Sequence, residues 1–345
     1  MTTDNFLILQ THHPWTGPYA ERDQLYAIER EALAESGLSL TIVGESPGDV
    51  PEEMLRSADA ILRRGWTFPR EMLERLKACR VISCPGIGVE GIDLQAAAEL
   101  GIVVTNVPYA TAEEVGNHAI TLLLACTRKL VILNQAMRAG NYDWRMAQPL
   151  YTLRGKTLGF VAFGNSARSA AEKMRAFGVK MMAYDPYVTE AAAETYGVRM
   201  VPLAELLQQS DFVSIHAPYS PETRHLLDAA AIAQMKAGAI LIQVSRGGVV
   251  DQQALAQALQ EGRLAAAGLD VHEKEPPDAD NPLLKLDNVI HTPHIAGYSE
   301  ESFREQKRLA CETIARVLRG YWPRWVLNPT VNPKRPLRPH DAEPA

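Results

Sequence analysis

Short apolar runs alternating with helix-like stretches constrain this chain more than any other feature. The runs at residues 6–9, 38–43, 60–62, 81–83 and 102–104 are interleaved with helical patterns at 22–36 and 52–57. A short run without polar alternation is buried on both faces, and strands separated by helices are joined by crossovers, so the pattern predicts a helix-covered parallel sheet. The alternation resumes at 157–163, 180–184, 212–215, 239–244, 266–271 and 289–290, a second array of the same kind. Between the arrays a long helix is expected from Thr111. Thr111 and Glu114 have capping-box spacing there, and Val115, Ala119, Leu122, Cys126 and Leu130 recur at steps of three and four. A polar arm with Gly and Trp follows at 138–150, and a last amphipathic helix at 300–318 precedes a Pro- and charge-rich end that reads as disorder.

At 345 residues the chain has length for two domains. Hydrophobic residues at 46% and charged residues at 22% are ordinary for a globular protein, which excludes fibrous and disordered classes. Thirty-five Lys+Arg against 41 Asp+Glu leave a net charge of -6, so no overall basic field is present and nucleic acid is not expected as a partner. The first residues lack a basic segment followed by a long apolar one, and the apolar helix at 120–133 is broken by Arg128 and Lys129, so no membrane partner is expected. Four cysteines without a CxxC pair suit free thiols in the cytoplasm. No His cluster has acidic or thiol partners at metal-ligand spacing, and no metal is expected.

The segment Thr157-Leu-Gly-Phe-Val-Ala162-Phe-Gly164-Asn-Ser-Ala167 is a strand, a turn and a helix, the setting of a dinucleotide fingerprint. Its three glycine positions read Ala162, Gly164 and Ala167. Alanine at the first is acceptable only with negative φ, because a Cβ disfavours the left-handed region. On these residues alone a nucleotide site and a plain turn both remain open. Asp185 ends the next strand, where its carboxylate can accept bonds from ribose hydroxyls and repel a 2′-phosphate, which favours NAD over NADP.

Three later segments each follow an expected strand: Gln243-Val-Ser-Arg246-Gly-Gly248, Gly268-Leu-Asp270-Val-His-Glu-Lys-Glu275-Pro276 and His291-Thr-Pro-His294-Ile-Ala-Gly297. With Gly86-Ile-Gly-Val-Glu-Gly-Ile-Asp93, Asn106-Val-Pro108, Gly155-Lys-Thr-Leu-Gly159, Pro221-Glu-Thr223 and Asn281-Pro-Leu-Leu284 in order, the chain resembles the D-isomer-specific 2-hydroxyacid dehydrogenases from about residue 58 to 332. The resemblance implies two Rossmann-like, doubly wound parallel-sheet domains of the α/β class. A flavodoxin-like substrate domain would comprise residues 1–105 with 298–332 returning to it, an NAD-binding domain 106–297 would be inserted, and 333–345 would be a disordered tail. The active site would lie between the two domains.

The resemblance also implies that Arg246, Glu275 and His294 carry the chemistry: His294 as acid/base, Glu275 to hold its imidazolium, Arg246 to grip the substrate carboxylate. Gly164, Asn165, Ser166, Asp185, Pro218, Thr223, Val244, Ser245, Arg246, Asp270, His294 and Gly297 would line the cofactor, NAD. Ile87 and Gly88, with Arg246 and His294, would receive a small 2-oxo or 2-hydroxy acid. Ser166 stands where the family usually has an aliphatic residue. Arg63 and Arg64 read as solvated charges, and a homodimer through the helix from Thr111 and its arm is implied. Two rival functions stay open: an NAD(H)-sensing interaction protein of corepressor type, and an enzyme using tightly bound NAD for other chemistry.

Overall fold

The computed structural model describes residues 6–11, 26–43 and 46–339, so His12, His13 and the first part of the helix expected at 22–36 lie outside the described residues. The chain divides into Met1–Ala110 with Glu300–Ala345, and Thr111–Ser299.

In the first unit, β1 (Ile8–Gln10), β2 (Leu40–Ile42), β3 (Ala60–Leu62), β4 (Val81–Ser83) and β5 (Val103–Thr105) form a parallel sheet in the order β2-β1-β3-β4-β5. That is the flavodoxin-like order. Its helices are α1 (Ala27–Ala34), α2 (Glu52–Ser57), α3 (Arg70–Arg75), α4 (Leu94–Glu99) and the long helix Glu300–Leu318. Successive strand side chains face opposite sides, which explains the unbroken apolar runs. Leu9, Ile61, Ile82 and Val104 pack with Leu55, Leu73 and Ala96 from α2, α3 and α4. Ile8, Ala60, Leu62, Val81 and Val103 pack with Leu33 of α1 and Ala310, Ile314 and Val317 of the long helix. Each fully buried Val, Leu or Ile among them contributes about 1.5–3 kcal/mol, and each alanine methyl less.

Disorder expected from residue 333 is corrected at its start. Lys334 Nζ donates to the carbonyls of Leu76 (3.0 Å) and Lys77 (2.9 Å), and the backbone N–H of Arg338 bonds Gly320 O. An ammonium that reaches two carbonyls, one of them on the buried Leu76, offsets the chain entropy that composition alone counts. Upstream, Asn328 is buried and completes the open edge of β5: Oδ1 accepts from Val104 N at 2.9 Å and Nδ2 donates to Ile102 O at 2.8 Å. Residues 340–345 lie outside the described residues.

The second unit opens with α5 (Ala112–Thr127) and α6 (Leu130–Arg138). Helix α5 buries Ala119, Leu122, Leu123 and Cys126, but no capping box forms. Thr111 makes no side-chain cap, and Glu114 Oε1 instead accepts from Ser299 Oγ at 2.9 Å. Lys129, left-handed at φ 51, separates the two helices, which bend by 61°. No single helix among the described residues is long and apolar enough to cross a membrane.

There follow β6 (Thr157–Val161), α7 (Asn165–Met174), β7 (Lys180–Tyr184), α8 (Glu190–Glu194), β8 (Val198–Met200), α9 (Leu203–Gln209), β9 (Phe212–Ile215), α10 (Ala229–Gln234), β10 (Ala239–Gln243), α11 (Gln252–Gln260), β11 (Leu264–Leu269) and β12 (Val289–His291). The parallel sheet runs β12-β11-β10-β9-β6-β7-β8. Helices α5 and α7 cover one face and α9, α10 and α11 the other. Strand order reverses between β6 and β9, and in open α/β sheets ligands bind at that point, beyond the carboxyl ends of the strands.

Candidate functional site at the carboxyl edge of the seven-stranded sheet

Because all seven strands are parallel, every segment that follows a strand emerges on the same edge. Ala162–Ser166, Asp185, His216–Pro218, Val244–Arg246, Asp270–Glu275 and Thr292–Gly297 therefore share one rim, although they are spread over more than a hundred residues of sequence.

At the turn after β6, Ala162 adopts φ 67, contrary to the expectation that its φ stays negative. The turn demands the left-handed region, and alanine accepts it at a cost of about 1–2 kcal/mol, which the fixed flanks hold in place. Those flanks are visible: Ala162 N donates to Tyr184 O (2.8 Å), and Phe163 N to Asp185 Oδ2 (2.9 Å). Gly164 caps α7, and a Cβ built on it would meet nothing within 4 Å, so its backbone lies open where a phosphate could approach. The N–H groups of Asn165 and Ser166 start α7, at the positive end of its dipole. Asp185 Oδ1 also accepts from Tyr187 N at 2.8 Å, so two backbone donors orient the carboxylate at the end of β7. These features fit a dinucleotide.

Ser166 carries its own contact, with Oγ 2.9 Å from His216 Nδ1, while Ser214 Oγ lies 2.9 Å from His216 Nε2. Burial pushes the His216 imidazole down to about 3, so it is neutral and gives one nitrogen as donor and the other as acceptor. Thr223 Oγ1 donates to Pro218 O at 2.6 Å and closes the loop after β9. After β10, Val244 is buried, Ser245 Oγ donates to Gln243 Oε1 (2.9 Å), and Arg246 Nη1 donates to Ser245 O (2.9 Å).

The last two strand ends are bound to each other. Glu275 Oε2 lies 2.6 Å from His294 Nδ1, and its Oε1 accepts from His272 N at 2.9 Å. A carboxylate only accepts, so Nδ1 carries the proton of that bond and Nε2 is the outward nitrogen. Burial opposes ionisation of Glu275. The bonds from His294 and the His272 N–H, with the positive charges of His294 and Arg246, outweigh it and hold the carboxyl below its usual value.

His294 itself has φ 51. Asp270, fully buried, supports that strained residue: its carbonyl accepts from His294 N (2.8 Å), Oδ1 from Thr292 Oγ1 (2.6 Å) and Ile295 N (2.9 Å), and Oδ2 from Ala296 N (2.8 Å). Gly297 follows, and a Cβ there would press on Thr111 at 3.2 Å.

Ile87 and Gly88 belong to the five-stranded unit, after β4. Asn106 Nδ2 donates to Ile87 O (2.8 Å) and Arg63 Nη1 to Gly88 O (3.2 Å). In a trans peptide the N–H points opposite the carbonyl, so these two side chains turn the N–H groups of Gly88 and Val89 the other way. Arg63 is thus a brace and Arg64 lies 4.9 Å over the Phe303 ring, so neither is the solvated charge expected.

Sequence reasoning gave His118, Thr292 and Asn106 no role of their own, although Thr292 and Asn106 lie in segments that carry the resemblance. His118 on α5 lies three residues from Val115 and four from Leu122, a polar residue beside an apolar stripe, which is the one signal available. Among the described residues no group of three or more His, Cys, Asp or Glu side chains is placed to hold a metal ion.

Residues 120–296, just over half of the chain, match the family described as D-isomer specific 2-hydroxyacid dehydrogenase, NAD binding domain. The D-3-phosphoglycerate dehydrogenase of Methanocaldococcus jannaschii is 38% identical over 80% of this chain, which spans 53% of that protein's length. The glyoxylate reductase of Korarchaeum cryptofilum is 38% identical over 77% of this chain and 81% of its own. Among solved structures, Aquifex aeolicus D-lactate dehydrogenase complexed with NAD and lactic acid superposes with a TM-score of 0.80 at 30% identity, covering 91% of this chain and 96% of that one. The strand order that builds the rim, the matched nucleotide-binding half and relatives aligned over most of the chain lead to one assignment: this chain belongs to the D-isomer specific 2-hydroxyacid dehydrogenase family.

Proposed function

We propose that the chain interconverts a small 2-oxo acid and its D-2-hydroxy acid, with NAD as cofactor. The observation that carries this reading is the 2.6 Å bond between Glu275 Oε2 and His294 Nδ1, which leaves Nε2 to exchange a proton. NADH, when bound, supplies the hydride that the reduction consumes. His294 gives its Nε2 proton to the carbonyl oxygen and takes it back in the reverse direction. Glu275 keeps the imidazolium oriented, and the planar guanidinium of Arg246 grips the substrate carboxylate and polarises the carbonyl. Gly164, Asn165, Ser166, Asp185, Pro218, Thr223, Val244, Ser245, Asp270 and Gly297 line the cofactor, with Asp185 selecting NAD. The N–H groups beside Ile87 and Gly88 receive the substrate carboxylate.

The partner is a second copy of the chain. Support comes from the apolar side chains that α6 and its arm leave exposed, Leu130, Met137, Tyr142 (89%) and Trp144 (73%) among them, because a monomer rarely displays such a patch. A monomer by light scattering overturns this. A cytoplasmic location fits four buried free thiols, Cys79, Cys84, Cys126 and Cys311, all raised by burial into unreactive thiols.

The decisive experiment is NADH oxidation across glyoxylate, hydroxypyruvate, phenylpyruvate and phosphorylated 2-oxo acids. Turnover of at least one, abolished in His294→Ala, is expected. Silence across the panel, with protein binding that changes with NADH, would support the sensing role instead.

A further inference from the structure

We infer that His118 is a positioning residue for His294, acting through Thr292 and Asp270. The inference rests on the proposed role of His294, yet its first observable is independent of turnover. His118 Nε2 lies 2.9 Å from Thr292 Oγ1, and Thr292 Oγ1 lies 2.6 Å from Asp270 Oδ1. His118 Nε2 is 3.6 Å from Asp270 Oδ1 itself, too far to replace the hydroxyl as its direct donor.

The directions of these bonds follow from chemistry. Asp270, as a carboxylate, has only lone pairs, so the single hydroxyl hydrogen of Thr292 goes to it. The Thr292 oxygen can then only accept from His118. The imidazole is therefore protonated at Nε2, and its N–H fixes the rotor of Thr292 so that the hydrogen stays on Asp270. A hydroxyl polarised by an N–H donor is itself a better donor.

What the relay holds is the carboxylate that collects the N–H groups of Ile295 and Ala296, while the same residue's carbonyl takes the N–H of His294. Those bonds set the backbone around a residue at φ 51, which would otherwise relax toward negative φ and swing the imidazole away from Glu275. His118 thus connects α5 to the geometry of the proton donor through a hydroxyl and a carboxylate, with no direct bond to His294. The glutamine amide offers an N–H near the position of Nε2, and serine retains the hydroxyl, so both linking groups have conservative replacements.

Amide hydrogen exchange in the full chain reads the relay directly. In His118→Leu and Thr292→Val, protection at Ile295 and Ala296 should fall about tenfold, the equivalent of one lost hydrogen bond. His118→Gln and Thr292→Ser should retain it. Where the wild type turns over a 2-oxo acid, kcat should fall about tenfold in the two disruptive variants with KM within about twofold, and the double variant should be no worse than either single one. Unchanged protection at Ile295 and Ala296 in His118→Leu, or losses that add in the double variant, would overturn the relay. A wild type inactive on every oxo acid would count against the proposed function alone, since the exchange result stands apart from it.

Discussion

Glu275 and His294 sit 19 residues apart in sequence, one beyond β11 and the other beyond β12, and share a 2.6 Å bond in which the carboxylate holds the inner ring nitrogen. Adjacent parallel strands make that meeting possible, because their carboxyl ends emerge side by side. His294→Ala should lower 2-oxo acid reduction by roughly 100-fold or more, the scale of general-acid catalysis. Glu275→Gln removes the carboxylate that holds the His294 ring through its 2.6 Å bond, so reduction should slow by roughly tenfold or more, the scale of one lost charged hydrogen bond. Steady-state rates check both, and near-normal turnover of His294→Ala would refute the assignment.

At the other end of the rim, Asp185 is locked by the N–H groups of Phe163 and Tyr187. Exchange for alanine should raise the NADH dissociation constant about tenfold, as expected for loss of a charged hydrogen bond to ribose, and should narrow the preference over NADPH. Fluorescence titration with both dinucleotides decides it; equal affinities before and after the change would remove the role.

His216 makes stability depend on pH. Its folded value of about 3 lies below the ordinary 6.5, so between the two the unfolded chain binds a proton that the folded one does not. This contribution is complete above 6.5 and is lost progressively as pH falls toward 3, at up to about 1.4 kcal/mol per unit. Between about pH 7.5 and pH 5 the wild type should therefore lose about 2 kcal/mol more than His216→Gln. Urea unfolding at the two pH values measures the difference, and parallel losses would contradict it.

In the five-stranded unit, Asn106 turns the Ile87 carbonyl and so aims the Gly88 N–H. Asn106→Ala should raise KM for the oxo acid about tenfold while kcat stays within about threefold, the pattern of a lost ground-state contact. An unchanged KM would mean that this loop does not receive the carboxylate.

Much of this architecture was legible in advance because parallel strands buried on both faces must be apolar throughout: residues 60–62, 81–83, 180–184 and 212–215 match β3, β4, β7 and β9. The helix 300–318 was equally plain, since a single stripe of its surface meets the core. What escaped notice depended on partners distant in sequence. Glu114 has capping-box spacing, but Ser299 claims it; His118 and Thr292 stand 174 residues apart, and no local pattern relates them. Ala162 illustrates the converse, a residue whose preference was read correctly and overruled by the turn it occupies.

Asn328 closes the open side of β5 with its side-chain amide, taking the place a further strand would fill. For anyone shortening or tagging the protein, the practical boundary is set there. A chain stopped ahead of residue 327 would display unmatched peptide groups along Val104, the kind of template on which strands of separate molecules stack into aggregates.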